Sequence, residues 1–244
     1  MSGKSRLDVA LVERGLIESR EKARRAIMAA QVLVSGQPVV KAGALVGADA
    51  AIELVTRDKF VGRGGLKLEG GLDAFAIDPA GKTCIDVGSS TGGFTDCLLQ
   101  RGAAKVYAID VGQGQLDWRL RNDPRVDVRE GVNARHLSAA DFCPKPTLAV
   151  ADLSFISLTL VLPAVFELLE SSSDMVVLIK PQFELSRADV GRGGIVRDEA
   201  ARLRAVGRIR DFVDRAGRVW VAVRESPITG RDGNVEFLAH IRTQ

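Results

Sequence analysis

Apolar positions in the first thirty residues recur at three- and four-residue intervals: Leu7, Ala10 and Leu11, then Ala23, Ala26, Ile27 and Ala30. That spacing predicts two helices joined near Gly15. Ser19 stands just before the second and has the side chain expected of its N-cap. Alternation then takes over at Val32-Leu-Val34, breaks at Ser35-Gly36, resumes at Val39-Val40 and returns at 51–55, which predicts a small sheet of short strands. A charged, glycine-rich stretch from Thr56 to Gly65 follows. Beyond it the pattern changes scale, with strand-like runs at 83–87, 105–109, 126–129, 147–151, 175–179 and 218–224 and helical segments between several of them. Strands alternating with helices predict a mostly parallel sheet covered on both faces. A last strand-like run, Asn234–Ile241, follows the turn-rich segment Thr229–Gly233.

Length and composition divide this picture without changing it. A chain of 244 residues, 46% hydrophobic and 27% charged, can hold one large and one small folded domain. No run of about 18 apolar residues occurs, which argues against a membrane span, and Met1–Arg6 is polar with no apolar signal core behind it. Cys84, Cys97 and Cys143 are odd in number and lack metal-type spacing, so reduced, core-packed thiols in a cytoplasmic protein are expected, with Cys97 on a helix. His136 and His240 are isolated, and no metal site is expected. Charge is more informative. Residues 1–60 hold ten Lys/Arg against seven Asp/Glu, while the remainder is balanced, so a polyanion would be met by the first quarter.

Chemistry concentrates at Cys84-Ile-Asp-Val-Gly-Ser-Ser-Thr-Gly-Gly-Phe-Thr95, which reads as strand, tight turn and helix start. The spacing is not that of the dinucleotide fingerprint. An acidic residue opening the turn, followed by scattered glycines, resembles the first motif of S-adenosylmethionine-dependent methyltransferases. That resemblance implies a cofactor loop formed by Asp86, Gly88, Ser90, Gly92, Gly93 and Phe94. The next strand ends at Asp110-Val111, where a carboxylate can accept both hydroxyls of a nucleoside ribose or can simply close a strand. Asp152-Leu-Ser-Phe155 follows another strand directly, and ligands bind at the carboxyl ends of parallel strands. It lacks the paired prolines usual in methyltransferases of exocyclic base amines, so that reaction is disfavoured. Lys180 ends a strongly apolar strand before Pro181, an unusual place for lysine unless it has a task. Gly81-Lys82-Thr83 is not a phosphate-binding loop, because Ala76 stands where the first glycine is needed and a strand follows.

Lys67, Asp152, Lys180 and Glu236, in that order, resemble the Lys-Asp-Lys-Glu tetrad of FtsJ-like ribose methyltransferases. Residues 5–55 resemble the RNA-binding module of small-subunit ribosomal protein S-four, through Arg6-Leu-Asp8, Arg20-x-Lys22-Ala23, Val32-x-Val34-x-Gly36 and Lys41. Together with Gly-Gly-Leu-Lys67, Lys180-Pro-Gln-Phe-Glu184 and Gly233-Asn-Val-Glu236, the chain resembles the TlyA family, the rRNA 2′-O-methyltransferases also labelled haemolysin A. The fold implied is α/β: a Rossmann-like class I methyltransferase domain with a seven-stranded mixed sheet over 65–244, its last strand antiparallel. A small α+β RNA-binding domain would occupy 1–59, with a flexible linker at 60–64. The resemblance implies S-adenosylmethionine as cofactor, with Asp152 among its contacts, and ribosomal RNA within ribosomal subunits as partner. RNA contacts would come from Arg6, Arg20, Lys22, Arg24, Arg25, Lys41 and Arg63. The expected reaction is methylation of a cytidine 2′-hydroxyl by a monomer. The large subunit is favoured over the small because the chain stops soon after the last strand. Free lysine titrates near 10.4. A second ammonium and partial burial would lower this, so Lys180 is expected as base, Lys67 as its modulator, and the two carboxylates as orienting groups. The alternatives are a non-catalytic RNA-binding assembly factor and, from the label, a cytolysin.

Overall fold

The computed structural model describes residues 3–55 and 59–244; Thr56–Asp58 of the expected link lie outside the described residues. The chain divides into two compact units at Asp58/Lys59. The first contains β1 (Ser5–Arg6), α1 (Leu7–Glu13), α2 (Arg20–Met28), β2 (Val32–Val34), β3 (Gln37–Pro38), β4 (Leu45–Val46) and β5 (Ile52–Leu54). Leu7, Ala10, Leu11, Ala23 and Ile27, the helical-period residues, pack with Val32 and Val46 into its core. Ser19 caps α2 by accepting from the Lys22 amide at 3.3 Å. The strand expected at Val39-Val40 is two residues earlier, at Gln37–Pro38, although the Val39 amide still reaches Val32 O at 3.0 Å. The pairing of β1 with β4 had no sequence signal, since two residues per strand are too few to alternate. Arg14 fastens α1 to the 47–50 turn, donating to the carbonyls of Ala50, Gly47 and Ala48 at 2.6–3.0 Å.

The second unit runs α3 (Gly64–Phe75), β6 (Thr83–Val87), α4 (Gly93–Gln100), β7 (Lys105–Asp110), α5 (Trp118–Arg121), β8 (Val126–Glu130) and β9 (Leu148–Ala151). It continues with α6 (Leu162–Leu168), β10 (Asp174–Ile179), α7 (Pro181–Glu184), α8 (Glu199–Arg215), β11 (Val219–Glu225) and β12 (Phe237–Arg242). The sheet has seven strands in the order β11-β12-β10-β9-β6-β7-β8. It is parallel except at β12, which is antiparallel to both neighbours. Alternate residues of each central strand go to opposite faces. Ile85, Val87, Ile109, Ala149, Val177 and Ile179 pack with Leu162, Val165, Ile209 and Val213 from α6 and α8. Cys84, Val106, Leu148, Val150, Val176 and Leu178 pack with Leu68, Leu72, Cys97 and Leu98 from α3 and α4. Burial on both faces explains why these strands read as nearly continuous apolar runs.

Two expectations are corrected. Residues 60–64 pack as part of the second unit: Phe60 is buried in its core, and the Val61 amide donates to Asp96 at 2.8 Å. The glycines there serve close packing, since a Cβ on Gly65 would lie 2.2 Å from the Phe60 ring and one on Gly62 would lie 2.8 Å from Thr91 Oγ1. Cys143 is exposed, whereas Cys84 and Cys97 are buried as expected, Cys97 on α4.

Candidate active site

The strand order gathers distant residues at one edge of the sheet. Read across β12, β10, β9, β6 and β7, the positions at that edge are Glu236, Lys180, Asp152, Gly88 and Asp110. Ile179 pairs with Phe237, so Lys180 and Glu236 occupy the next step of the antiparallel ladder. Val177 pairs with Ala151 on the other side of β10, which brings Asp152 to the same end. Lys67 comes from α3, whose Leu68 and Leu72 are buried.

The four tetrad residues form two ion pairs. Lys67 Nζ meets Glu236 Oε2 at 2.5 Å, and both side chains are buried. Lys180 Nζ meets Asp152 Oδ1 at 2.6 Å and donates to Ser154 Oγ at 2.8 Å. Pairing offsets part of the large cost of taking each charge out of water. The start of α3 leans over the second pair: a Cβ on Gly64 would lie 3.8 Å from Asp152 Oδ2. β10 ends at Ile179, Lys180 caps α7, and Pro181 opens that helix, as its missing donor and fixed φ favour.

Two cavities open beside this edge. One, about 460 Å³, is lined by Ile109, Asp110, Val111, Asn133 and Phe155 among others. The other, about 160 Å³, is lined by Gly64, Ser89, Gly93, Phe94 and Lys180 among others. Gly88, Ser90, Asp152 and Ser154 line both, so the larger space adjoins the one that holds Lys180. Gly88 has φ +88°, and a Cβ there would lie 2.5 Å from the Asp152 carbonyl. Only glycine lets the loop after β6 pass so close to β9. Asp110 accepts the Ser90 and Gly112 amides at 2.7 Å each, which fixes its carboxylate and leaves lone pairs for a ligand. Glu130 organises the next turn, accepting the amides of Gly114, Gln115 and Leu116. The hydrogen bond from Arg121, then those amides, hold its carboxyl down to about 2.

Asp86 and Gly92, expected around a cofactor, line neither cavity. Asp86 lies on β6 with no exposure, accepts from Thr95 Oγ1 at 2.7 Å and leaves Oδ1 without a partner. Burial pushes its carboxyl up to about 7; the Thr95 hydrogen bond opposes this, and the charges of Asp152 and Asp110 add to it. Gly92 makes room for the protein itself, since a Cβ would lie 2.2 Å from Leu120 Cδ1. Gly88, Ser90, Gly93, Phe94, Asp110, Val111 and Asp152 do line one cavity or both.

Residues 60–243 match the model for the FtsJ-like methyltransferase, and residues 5–52 that for the S4 domain. TlyA of Mycobacterium tuberculosis, a 16S/23S rRNA (cytidine-2′-O)-methyltransferase, is 47% identical over 100% of this chain and 92% of its own. The chain belongs to the TlyA family. YqxC of Bacillus subtilis, named for rRNA methyl transfer, is 48% identical over 98% of this chain and 86% of its own. A solved structure from Streptococcus thermophilus, carrying a haemolysin name, is 40% identical with a TM-score of 0.76, over 100% of this chain and 90% of that one. The haemolysin name thus attaches to the same methyltransferase fold and supplies no separate activity. No helix among the described residues is long and apolar enough to cross a membrane.

In this TlyA-family chain all but one of the basic residues expected at RNA belong to the first unit. Arg6, Arg20, Lys22, Arg24, Arg25 and Lys41 are all exposed on the first unit. Arg6 and Arg20 are both anchored on Asp8, a fully buried carboxylate, at 2.9 and 3.2 Å. Lys22 pairs with Glu18 and Arg25 with Glu21, each one helical turn back. Arg63 belongs to the second unit, where it donates to Thr229 O at 2.9 Å. Sequence reasoning named no role for Ser154, Phe155 or Asn133. Phe155 is 91% exposed with φ +64°, a cost for an aromatic residue that sequence does not reveal. Asn133 follows β8 at the ligand-binding edge, and the edge rule could have found it.

Proposed function

We propose that this chain transfers the methyl group of S-adenosylmethionine to the ribose 2′-hydroxyl of a cytidine in ribosomal RNA. The observation that carries the reading is the position of Lys180 in the wall of the smaller cavity, with its Nζ against Asp152 and Ser154, residues that line both cavities. The larger cavity suits a nucleoside: apolar Ile109, Val111 and Val132 face it, and Asp110 stands among them to accept ribose hydroxyls. The Gly88–Phe94 loop, with its close backbone approach, suits the methionine portion. When bound, this cofactor supplies a methyl group on an electron-poor sulfonium.

A ribose hydroxyl is a weak nucleophile until its proton has somewhere to go. Lys180, in its amine form, takes that proton at Nζ. The Asp152 carboxylate 2.6 Å away stabilises the ammonium as it forms, and Ser154 Oγ accepts an Nζ hydrogen bond. The Lys67–Glu236 pair lies at the same sheet edge and lines neither cavity; its assigned task is to orient the incoming nucleotide by charge and hydrogen bonding. Cofactor contacts are assigned to Gly88, Ser90, Gly93, Phe94, Asp110, Val111 and Asp152, with Asp86 acting from beneath through Thr95. The first unit docks on folded RNA through Arg6, Arg20, Arg24 and Lys41, reading shape and phosphate. A stacked nucleotide cannot present its 2′-hydroxyl to a recessed amine, so the target is drawn out of its helix.

The test is incubation of the purified protein with methyl-labelled S-adenosylmethionine and separated, unmodified ribosomal subunits, followed by nuclease digestion and mass spectrometry. Label on a cytidine 2′-oxygen is expected, and the labelled subunit identifies the substrate. Label on a base would overturn the ribose assignment. No label on either subunit, with cofactor binding intact, would favour an assembly factor.

A further inference from the structure

Glu184 is a buried carboxylate that nothing above has used. It is 2% exposed and ends α7, four residues after Lys180. Its Oε2 accepts the Ser157 hydroxyl at 2.5 Å, and its Oε1 accepts the Leu158 amide at 2.8 Å. Burial pushes the carboxyl up, while these two hydrogen bonds and the Arg208 charge draw it back. Arg208 donates to the Glu184 carbonyl at 2.6 Å and ties the end of α7 to α8.

The residues it grips matter because of what precedes them. Residues 152–157 form neither helix nor strand before the short turn Leu158–Leu160. Within them lie Asp152, Ser154 and Phe155, the partners of Lys180 and part of the wall of the larger cavity. The segment touches the Lys180 side at three places. At its start, Lys180 reaches Asp152 and Ser154; in the middle, the Phe155 ring meets Phe183 with centroids 5.2 Å apart; at its end, Ser157 and Leu158 bond to Glu184. The first contact changes during the proposed reaction, and the second lies at an exposed ring. Of these three, the Glu184 contact is the one that is both buried and outside the chemistry. A segment without secondary structure gains its order from such fixed points.

We propose that Glu184 is a positioning residue for methyl transfer: by clamping Ser157 and Leu158 it holds the 152–157 segment so that Asp152 and Ser154 stay in register with Lys180 and the cofactor wall stays closed. This rests on the proposed function, and it extends that reading to a residue that touches neither substrate nor cofactor. Misplacement of reacting groups by about 1 Å can cost about 100-fold in rate. Glu184→Ala should therefore lower turnover on ribosomal subunits by about 10- to 100-fold per folded molecule, leave KM for RNA within a few-fold, and weaken S-adenosylhomocysteine binding by several-fold. Glu184→Gln keeps an acceptor for the Leu158 amide and a donor toward Ser157 Oγ, so it should restore most of the loss. Ser157→Ala, which removes one bond of the two, should fall between them.

The experiment measures turnover, S-adenosylhomocysteine affinity by calorimetry and amide exchange of 152–158 in the full-length wild type and the three variants. Faster exchange in that segment, with lower turnover in the alanine variant and recovery in the glutamine variant, is the expected result. Wild-type turnover per folded molecule in Glu184→Ala, accompanied only by a lower Tm, would overturn the proposal and leave Glu184 as a fold-stabilising residue. A glutamine variant as impaired as the alanine one would also overturn it, because charge and not hydrogen-bonded position would then be responsible. If the wild type transferred no methyl group, the function proposed above would fall, while exchange and S-adenosylhomocysteine binding would still decide whether Glu184 orders the cofactor wall.

Discussion

The two units use carboxylates in opposite ways. In the first, Asp8 lies fully buried beneath Arg6 and Arg20 and serves groups that face solvent. In the second, Asp152 and Glu236 face inward to two lysines, which are themselves almost fully enclosed. The first arrangement spreads its task over many exposed cations, so each should matter in proportion. The second concentrates its task at one edge of a sheet, so removing one member leaves a partner uncompensated. A long-range, screened interaction with a polyanion tolerates graded losses, whereas a proton transfer at one nitrogen does not.

The sharpest way to break this contrast is Lys180→Ala. Turnover on ribosomal subunits should fall by at least about 100-fold, equivalent to about 2.7 kcal/mol of barrier, with S-adenosylhomocysteine affinity kept within a few-fold. Single-turnover kinetics and calorimetry measure both, and near-normal turnover would end the base assignment. Arg20→Gln combined with Arg24→Gln should act more gently, weakening RNA binding by about ten-fold and flattening its salt slope by roughly one to two units. If titrations across a salt series show no change, the first unit is not the docking surface.

Smaller effects separate the two carboxylate environments through pH. Asp86 titrates near 7 when folded, against about 4 unfolded. Between those values the folded chain holds a proton that the unfolded chain has released, so stability declines as pH rises through that window. Asp86→Asn should therefore gain more Tm over wild type at pH 8 than at pH 5, by about 2–4 °C for each kcal/mol of relieved burial. An equal gain at both values would mean that Asp86 is charged throughout. Asp8 runs the other way: chiefly through its hydrogen bond to Arg6, its carboxyl is held down to about 2. The stability it contributes is present above about pH 4 and is lost as pH falls through about 2. The effect should be the smallest of the four, because the side chains of Arg6 and Arg20 are 50% and 59% exposed and solvent screens them. Amide exchange in α1 and α2 between pH 5 and 2 would register it, and no change in the Asp8→Asn variant relative to wild type would show the pairs to be idle.

Much of the fold was legible. The runs at 83–87, 105–109 and 175–179 became β6, β7 and β10 nearly to the residue, because strands buried on both faces must be apolar throughout. The β1–β4 pairing was not legible, nor was the shift of β3 to Gln37–Pro38, because two-residue strands are set by the turns between them. Glycine was the least legible signal. Gly62–Gly65 suggested a joint and Gly92 a ligand contact, and the structure shows that Gly62, Gly65 and Gly92 make room for neighbouring side chains. A missing Cβ signals close approach, and the sequence does not say what approaches.

By itself the sequence determined the kinds of element, the division into a small basic unit and a larger α/β unit, and the identities of four residues far apart in the chain. The first two are local properties, written in spacing and residue type; the four residues came as a set from the resemblance to the FtsJ-like tetrad. Only the tertiary structure decided that Lys67 pairs with Glu236 and Lys180 with Asp152, that Asp86 lies beneath the cavities and not in their walls, and that Glu184 holds the segment carrying Asp152. Strand order and ladder register set these partnerships, and both follow from how the whole sheet is covered and closed by the antiparallel β12.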